Sequence, residues 1–287
     1  MQKIKDFICD LPFIRDQVEA RPKIAVLRMS GIIADYSQIR RAGINHEKFK
    51  KPIDKAFGIK GISAVALVIN SPGGAPAQCS LIGAHIRRLS EEKDIPVYAF
   101  VEDVAASGGY WLACAGEEIY AQGTSIVGSI GVISAGFGFE DFIGRHDIKR
   151  RVYTSGRDKS FLDPFKPEKS DDVERLKTIQ RAMHAEFKEW VRARRDNRLT
   201  GGEGELMEGA FWAGRQALDL GLIDGIGTVE SVMQEKFGEE ARFIDITAER
   251  KSLFNIQSLM GEARGGEMVA DALDAVDTRS YWSRYGL

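Results

Sequence analysis

Two short turns rich in small residues carry the groups of this chain that could do nucleophilic chemistry. The first is residues 70–74 (Asn-Ser-Pro-Gly-Gly) and the second is residues 105–109 (Ala-Ala-Ser-Gly-Gly). Adjacent glycines leave backbone N–H groups accessible, as a site that binds an oxyanion requires. A serine among such small neighbours is open to a substrate carbonyl, so Ser107 is a candidate nucleophile. Taken alone, the turns also fit a structural turn and a helix N-cap serine.

If Ser107 attacks a carbonyl, the next residue, Gly108, could supply an N–H group to the oxyanion. The serine also needs a base, and no histidine follows residue 184, so the late histidine of an α/β-hydrolase is missing. A lysine can act as base if its amine is neutral, which requires removal from water. Lys159 lies in a loop followed by apolar residues, unlike most lysines of the chain, but taken alone it fits an ordinary surface lysine.

The sequence lacks the common signatures of metal and nucleotide sites. It contains no phosphate-binding Gly-x-x-x-x-Gly-Lys loop, no Gly-x-Gly-x-x-Gly motif and no pair of histidines at zinc-binding spacing. Cysteines occur only at positions 9, 79 and 114, which predicts a reducing compartment without disulfides. The formal charge of −2 gives no electrostatic support for nucleic-acid binding. We therefore expect no cofactor, no metal and no nucleic-acid partner.

Both turns follow apolar strands and precede helices, which is where open α/β sheets place ligand sites. The pattern predicts strands at 23–29, 64–69, 97–101, 118–121 and 150–153. It predicts helices at 77–92, 110–115, 170–198, 214–220 and 229–237. The long helix has an apolar face formed by Leu176, Ile179, Met183, Phe187 and Trp190. Alternating strands and helices predict an α/β layered fold with mostly parallel strands.

The apolar part of the N-terminal segment is too short, and the segment too charged, for a signal peptide. No run of consecutive apolar residues approaches the length of a membrane span. We therefore expect a soluble cytoplasmic protein. Residues 145–198 hold 16 Lys and Arg against 10 Asp and Glu. This surplus fits a solvated helix face, and the alternative is a surface for a partner or for peripheral contact with a membrane.

Five motifs, in order, closely resemble the signal peptide peptidase A family, which is peptidase family S49. They are Asn-Ser-Pro-Gly-Gly at 70–74, Ala-Ala-Ser-Gly-Gly-Tyr at 105–110, Gly-Ser-Ile-Gly-Val at 128–132, Ser-Gly-Arg-Asp-Lys at 155–159 and the Gly-Arg-Gln-Ala-Leu-Asp-Leu-Gly-Leu-Ile-Asp run at 214–224. The resemblance implies a Clp-protease/crotonase-like fold and a Ser/Lys dyad with Ser107 as nucleophile and Lys159 as general base. It also implies that the Gly74 N–H helps to bind the oxyanion and that the Ser129 hydroxyl orients the lysine.

The resemblance covers residues 23–237 and predicts three parts: an N-terminal segment at 1–22, the peptidase domain at 23–237 and a C-terminal extension at 238–287. It implies peptide substrates and a homo-oligomer larger than a dimer, in which the dyad is either within one chain or shared between chains. Two alternatives remain open. A crotonase-like acyl-CoA enzyme would use the same oxyanion hole without a serine nucleophile, and a scaffold subunit would be catalytically idle.

Overall fold

The computed structural model describes residues 21–34, 43–156, 158–246, 279 and 282–286. Arg157, most of the predicted N-terminal segment and most of the predicted C-terminal extension therefore lie outside the described residues. The predicted domain boundaries stay predictions. The chain divides into two compact units: residues 1–130 with 190–287 form the first, and residues 131–189 form the second.

The described part of the first unit contains an eight-stranded sheet. Its main path runs β6-β5-β3-β2-β1-β8, and β4 pairs with both β3 and β7. All pairings are parallel except the antiparallel pair of β5 and β6. The strands are β1 (Lys23–Ser30), β2 (Ile62–Ser71), β3 (Val97–Ala106), β4 (Glu118–Ala121), β5 (Ile126–Gly128), β6 (Phe211–Ala213), β7 (Gly225–Ile226) and β8 (Arg242–Ile246).

The described helices confirm the alternation that the sequence predicts. They are α1 (His46–Gly58), α2 (Pro76–Lys93), α3 (Gly108–Ala113), α4 (Glu140–Arg145), α5 (Ser170–Arg195), α6 (Glu203–Leu206), α7 (Gly214–Asp219) and α8 (Val229–Phe237). A single 3₁₀ turn (Asp196–Arg198) follows α5 in the described chain. The predicted α/β fold class with mostly parallel strands, flanking helices and a long amphipathic helix is thus confirmed.

The central strands are buried on both faces, which explains their unbroken apolar sequences. On one face, Val229, Val232 and Met233 of α8 form a cluster with residues of β1, β2 and β3. On the other face lie α1, α2 and α3, and the predicted apolar positions Cys79 and Ile82 of α2 are fully buried. A sheet covered in this way fixes the carboxyl ends of its strands, where the two glycine-rich turns begin.

One predicted strand is wrong. Residues 150–153 have no regular secondary structure and belong to the second unit, where Arg150 pairs with Asp163. The run is only four residues long, and Tyr153 is 91% exposed. A short strand without a neighbour to pair with has too little support to form.

Buried polar contacts tie the motif at 214–224 to the rest of the first unit. Arg195 is only 1% exposed, and its guanidinium donates hydrogen bonds to the Asp224 carboxylate at 2.6 and 3.0 Å. The same carboxylate accepts the Ile119 N–H at 2.7 Å. The Tyr110 hydroxyl, next to the second glycine-rich turn, donates to the Leu222 carbonyl at 2.7 Å. The motif therefore holds β4 and the start of α3 in place.

We expect Asp224→Asn to lower the free energy of unfolding by about 3 kcal/mol, because it leaves the buried Arg195 charge without its carboxylate. The measurement is denaturant unfolding at pH 7. Arg88→Ala, which removes the exposed pair between Arg88 and Glu92, is the matched control and should change stability little. Equal stability of Asp224→Asn and wild type would contradict the structural role of this ion pair.

Protonation of the Asp224 carboxylate should lower the free energy of unfolding at acidic pH. Burial raises the pKa of Asp224, but hydrogen bonding to Arg195 and its positive charge outweigh burial, so the pKa lies below its ordinary value of 3.8. The ionised Asp224 therefore stabilises the folded state fully when the pH is above its ordinary pKa. This stabilisation is lost as the pH falls through the lowered pKa. In Asp224→Asn, that part of the acid dependence should be absent.

Candidate active site

Ser107 occupies the tight junction between β3 and α3. Its backbone has φ 52° and ψ −120°, a left-handed conformation that is strained for any residue with a side chain. The Ser107 N–H donates to the Gly128 carbonyl at 2.8 Å, and its carbonyl accepts from the Trp111 N–H at 3.0 Å. Its hydroxyl makes no capping hydrogen bond to α3. The N-cap interpretation therefore lacks its defining contact, whereas a strained strand-to-helix turn is what presents a nucleophilic serine.

The first glycine-rich turn packs directly against this junction. A methyl group on Gly73 would lie 2.8 Å from both the Ser107 Cβ and the Gly108 nitrogen. Only a glycine fits there, since Gly73 also has φ 104°. Gly73 has no predicted role of its own; the pair of adjacent glycines after Pro72 is the sequence feature that marks it.

The backbone of Gly74 is oriented by pairing with Ile33. The Ile33 N–H donates to the Gly73 carbonyl at 2.9 Å, and the Ala75 N–H donates to the Ile33 carbonyl at 2.7 Å. In a parallel ladder the residue between two such bonds directs its own N–H to the opposite side. On that side lies the serine turn, because a methyl group on Gly108 would be 3.3 Å from the Gly74 nitrogen. The structure thus brings Gly74, Gly108 and Ser107 together.

Ser129 is the residue after Gly128, whose carbonyl accepts the Ser107 N–H. The backbone of Ser129 is also strained, with φ 55°. Its N–H donates to the Ala210 carbonyl at 2.6 Å, which joins the turn after β5 to the start of β6. Its hydroxyl accepts a hydrogen bond from the Tyr285 hydroxyl at 3.3 Å. Ser129 is therefore held beside the nucleophile turn, in the same unit.

Lys159 belongs to the second unit, in a turn where its N–H donates to the Gly156 carbonyl at 3.3 Å. Its side chain is exposed in the single chain. Gly156 has φ 105°, which accounts for the glycine in the Ser-Gly-Arg-Asp-Lys motif. The neighbouring Asp158 pairs with Arg175 of α5 at 2.8 Å. The pairing of Lys159 with Ser107, and its removal from water, stay predictions.

The two described cysteines do not compete as nucleophiles. Cys79 lies against the site, since a methyl group on Gly108 would be 2.5 Å from its sulfur. Burial raises the pKa of Cys79 and of Cys114 to about 12 in each case, which keeps both as protonated thiols at neutral pH. Across the described ranges, no group of three or more His, Cys, Asp or Glu side chains could hold a metal ion.

The strained Ser107 thus lies at a strand-to-helix turn, with the backbone nitrogens of Gly74 and Gly108 close to each other beside it. The chain belongs to peptidase family S49, whose model matches residues 90–241. This confirms the resemblance that the five motifs carry. The matched region contains Ser107, Gly108, Ser129 and Lys159, while Gly74 precedes it.

Named relatives extend the match beyond that region. The chain is 42% identical over 273 residues to a Brucella abortus protein named Na(+)/H(+) antiporter NhaA, covering 92% of this chain and 37% of that protein. It is 30% identical to an Enterococcus faecium protein provisionally named signal peptide peptidase SppA, covering 78% and 65%. It is 31% identical to the chloroplastic serine protease SPPA of Arabidopsis thaliana, covering 72% and 31%. The chain thus spans less than two thirds of the length of each of these relatives.

The antiporter name belongs to a protein of which this chain covers only 37%. No helix among the described residues is both long and apolar enough to cross a membrane. The segment that this chain shares with the Brucella protein includes the region matched by a peptidase family. The name of that protein therefore gives no guide to the chemistry of the shared segment.

Proposed function

We propose that this chain is a serine endopeptidase that hydrolyses peptide bonds in extended or unfolded peptides through a Ser/Lys dyad. The observation that carries the proposal is the Ser107 turn, where a strained serine without a capping bond packs against the backbone of Gly73, Gly74 and Gly108. Membership of a peptidase family supports peptide substrates. No cofactor takes part in the proposed reaction.

In the proposed mechanism, the neutral Lys159 amine accepts the Ser107 hydroxyl proton as the serine oxygen attacks the substrate carbonyl carbon. The N–H groups of Gly74 and Gly108 stabilise the oxyanion of the tetrahedral intermediate. The lysine then protonates the leaving amine as the peptide C–N bond breaks, which leaves an acyl group on Ser107. Water, deprotonated by the same amine, then attacks the acyl carbonyl carbon. The C–O bond to Ser107 breaks, the ammonium returns its proton to the serine oxygen, and the product leaves as a carboxylic acid that ionises in water. Ser129 orients the lysine by a hydrogen bond.

A rapid-mixing experiment with a chromogenic peptide ester tests this proposal. We expect a burst of released alcohol equal to the concentration of active sites, followed by slower turnover, because acylation of Ser107 precedes hydrolysis. Turnover of acyl-CoA substrates without a burst would favour the crotonase-like alternative. No reaction with any ester, peptide or acyl-CoA would favour the scaffold alternative.

Proton acceptance by a lysine should make the rate rise with pH. Only the neutral amine can accept the serine proton, so acylation should increase as solution becomes more alkaline. The measurement is single-turnover acylation between pH 6 and pH 10. Ser129→Ala should lower the rate less than Lys159→Ala does, because the hydroxyl only orients the amine. A rate that is constant over this range would contradict a lysine base.

We also propose that the protein works as a homo-oligomer larger than a dimer. Large apolar side chains stay exposed in the second unit, including Phe137 at 81% and Tyr153 at 91%, and on α5, where Ile179 is 44% exposed. Exposed apolar surface of this kind usually marks an interface. The neutral Lys159 amine of the proposed mechanism requires a dry environment, and subunit contacts or a bound substrate would supply one.

Light scattering at micromolar concentration should therefore give a mass of three or more subunits. The sharing of sites can be tested by mixing inactive Ser107→Ala and Lys159→Ala subunits. Recovered activity in the mixture would show that the dyad is formed by two chains, and no recovery would place it within one chain. A fully active monomer would contradict the oligomer proposal.

A further inference from the structure

A bulge in β3 lies just before the nucleophile turn. Ile69 of β2 is paired with Val101, and the next paired residues are Ser71 and Ala105. Asn70 is therefore the one residue of β2 that faces three residues of β3, at positions 102–104. At the same place β3 changes its other neighbour from β4 to β5, since Val101 pairs with Ala121 and Val104 pairs with Ile126. Bulges of this kind redirect a strand, often next to an active site.

Asn70 fills the bulge with its side-chain amide. Its Nδ2 donates to the Asp103 carboxylate at 2.7 Å, and its Oδ1 accepts the Val104 N–H at 3.3 Å. The Asn70 side chain thus bonds to the Asp103 side chain and to the Val104 backbone, both within the bulge. Asn70 is the first residue of the Asn-Ser-Pro-Gly-Gly motif, and neither the dyad nor the oxyanion hole uses its side chain.

Ser125 holds the bulge from the opposite edge of β3. Its hydroxyl donates to the Glu102 carbonyl and accepts the Gln122 N–H at 2.9 Å. Ser125 is only 1% exposed, so these backbone groups have little access to water as replacement partners. Ser125 directly precedes β5, whose Gly128 carbonyl accepts the Ser107 N–H. The side chains of Asn70 and Ser125 therefore bond to both edges of β3, the strand that leads into Ser107.

We infer that Asn70 and Ser125 are positioning residues for the nucleophile, which act by fixing the bulge that aims the end of β3. Only two residues lie between Val104 and Ser107, and only three lie between Asn70 and Gly74. The register of the bulge therefore sets where the serine oxygen lies relative to the oxyanion donors. A shift of one residue would reverse which face of the strand each side chain occupies. This inference rests on the proposed function, because it concerns the reactivity of Ser107.

The test is the second-order rate constant of Ser107 with a small fluorophosphonate, measured per folded protein. This reagent needs an oriented nucleophile and oxyanion donors but no peptide-binding groove. Asn70→Ala and Ser125→Ala should each react about ten to a hundred times more slowly, because small misplacements of reacting groups have effects of that order. Arg28→Ala is the matched control: it removes an exposed ion pair to Glu102 on the same bulge and should react within about twofold of wild type.

Exchanging two residues gives a sharper test. Asn70→Asp keeps an acceptor for the Val104 N–H but places a second carboxylate against Asp103, so the reaction should again be slow. Adding Asp103→Asn restores the donor and acceptor with their positions exchanged, and the rate should return to within about threefold of wild type. Such rescue would show that the hydrogen bond between residues 70 and 103, and not the overall stability of the protein, controls the reaction rate of Ser107.

Rates in Asn70→Ala and Ser125→Ala equal to wild type, or a slow doubly exchanged variant, would overturn the positioning role. A fall in thermal midpoint without a fall in rate per folded protein would also overturn it, since that is what a purely structural role predicts. If wild-type Ser107 does not react at all, the proposed function itself fails. That outcome is distinguishable because it needs no variant.

Discussion

Ser107→Ala and Lys159→Ala should each lower kcat/KM for peptide hydrolysis by about a thousandfold or more. The first removes the nucleophile and the second removes the base that activates it. Because the two groups act as a unit, the double variant should be no worse than either single variant. Lys159→Arg should be equally inactive, since a guanidinium stays protonated and cannot accept the serine proton.

The measurement is steady-state hydrolysis of an unfolded protein or a labelled peptide. Circular dichroism on each variant checks that the loss is chemical. Lys149→Ala, which changes an exposed lysine of the same unit, is the control and should keep the wild-type rate. Full activity in Ser107→Ala or in Lys159→Ala would refute the dyad.

Gly74→Ala should lower kcat by about a hundredfold or more, which is the usual effect of losing an oxyanion donor. The added methyl group would lie 2.0 Å from the Ile33 carbonyl oxygen, a backbone atom that belongs to a paired segment. Gly74 also has φ 147°, so the substituted residue cannot keep its conformation. The Gly74 N–H would therefore move away from the position that the oxyanion needs.

Gly31→Ala is the matched control, because Gly31 also has a positive φ, of 108°, but has no atom within 4 Å of an added methyl group. Both variants carry backbone strain, while only Gly74→Ala displaces the donor. We expect the control to keep kcat near wild type per folded protein. Equal losses of kcat in the two variants would mean that strain, and not the Gly74 N–H, limits the rate.

Several strands and helices could be predicted because their apolar residues recur at the spacing of a strand or a helix. Residues 118–121 and 229–237 were predicted with the bounds that the structure shows. By contrast, β3 continues to Ala106, five residues beyond its predicted end, because its last residues pair with β5. That pairing joins residues distant in the chain, so local composition does not predict it. The bulge held by Asn70 arises from the same non-local pairing.

The candidate site could be predicted in part. Small residues around Ser107 indicated a tight turn, and the structure shows the strained backbone that only tertiary contacts can maintain. The convergence of Gly74 with Gly108 depends on pairing between Ile33 and Gly74, which no local pattern contains. Lys159 was selected by its motif, and its pairing with Ser107 stays a prediction. Its role is therefore the part that most needs a chemical test.

Mass spectrometry of the protein after reaction with a fluorophosphonate tests the central claim most directly. The serine oxygen forms a bond to phosphorus and fluoride leaves, which marks the activated nucleophile irreversibly. We expect one adduct per chain, on the peptide that contains Ser107, and a much slower reaction in Lys159→Ala. An adduct on a different serine, or continued peptide hydrolysis with Ser107 unmodified after exhaustive reaction, would contradict the Ser/Lys mechanism.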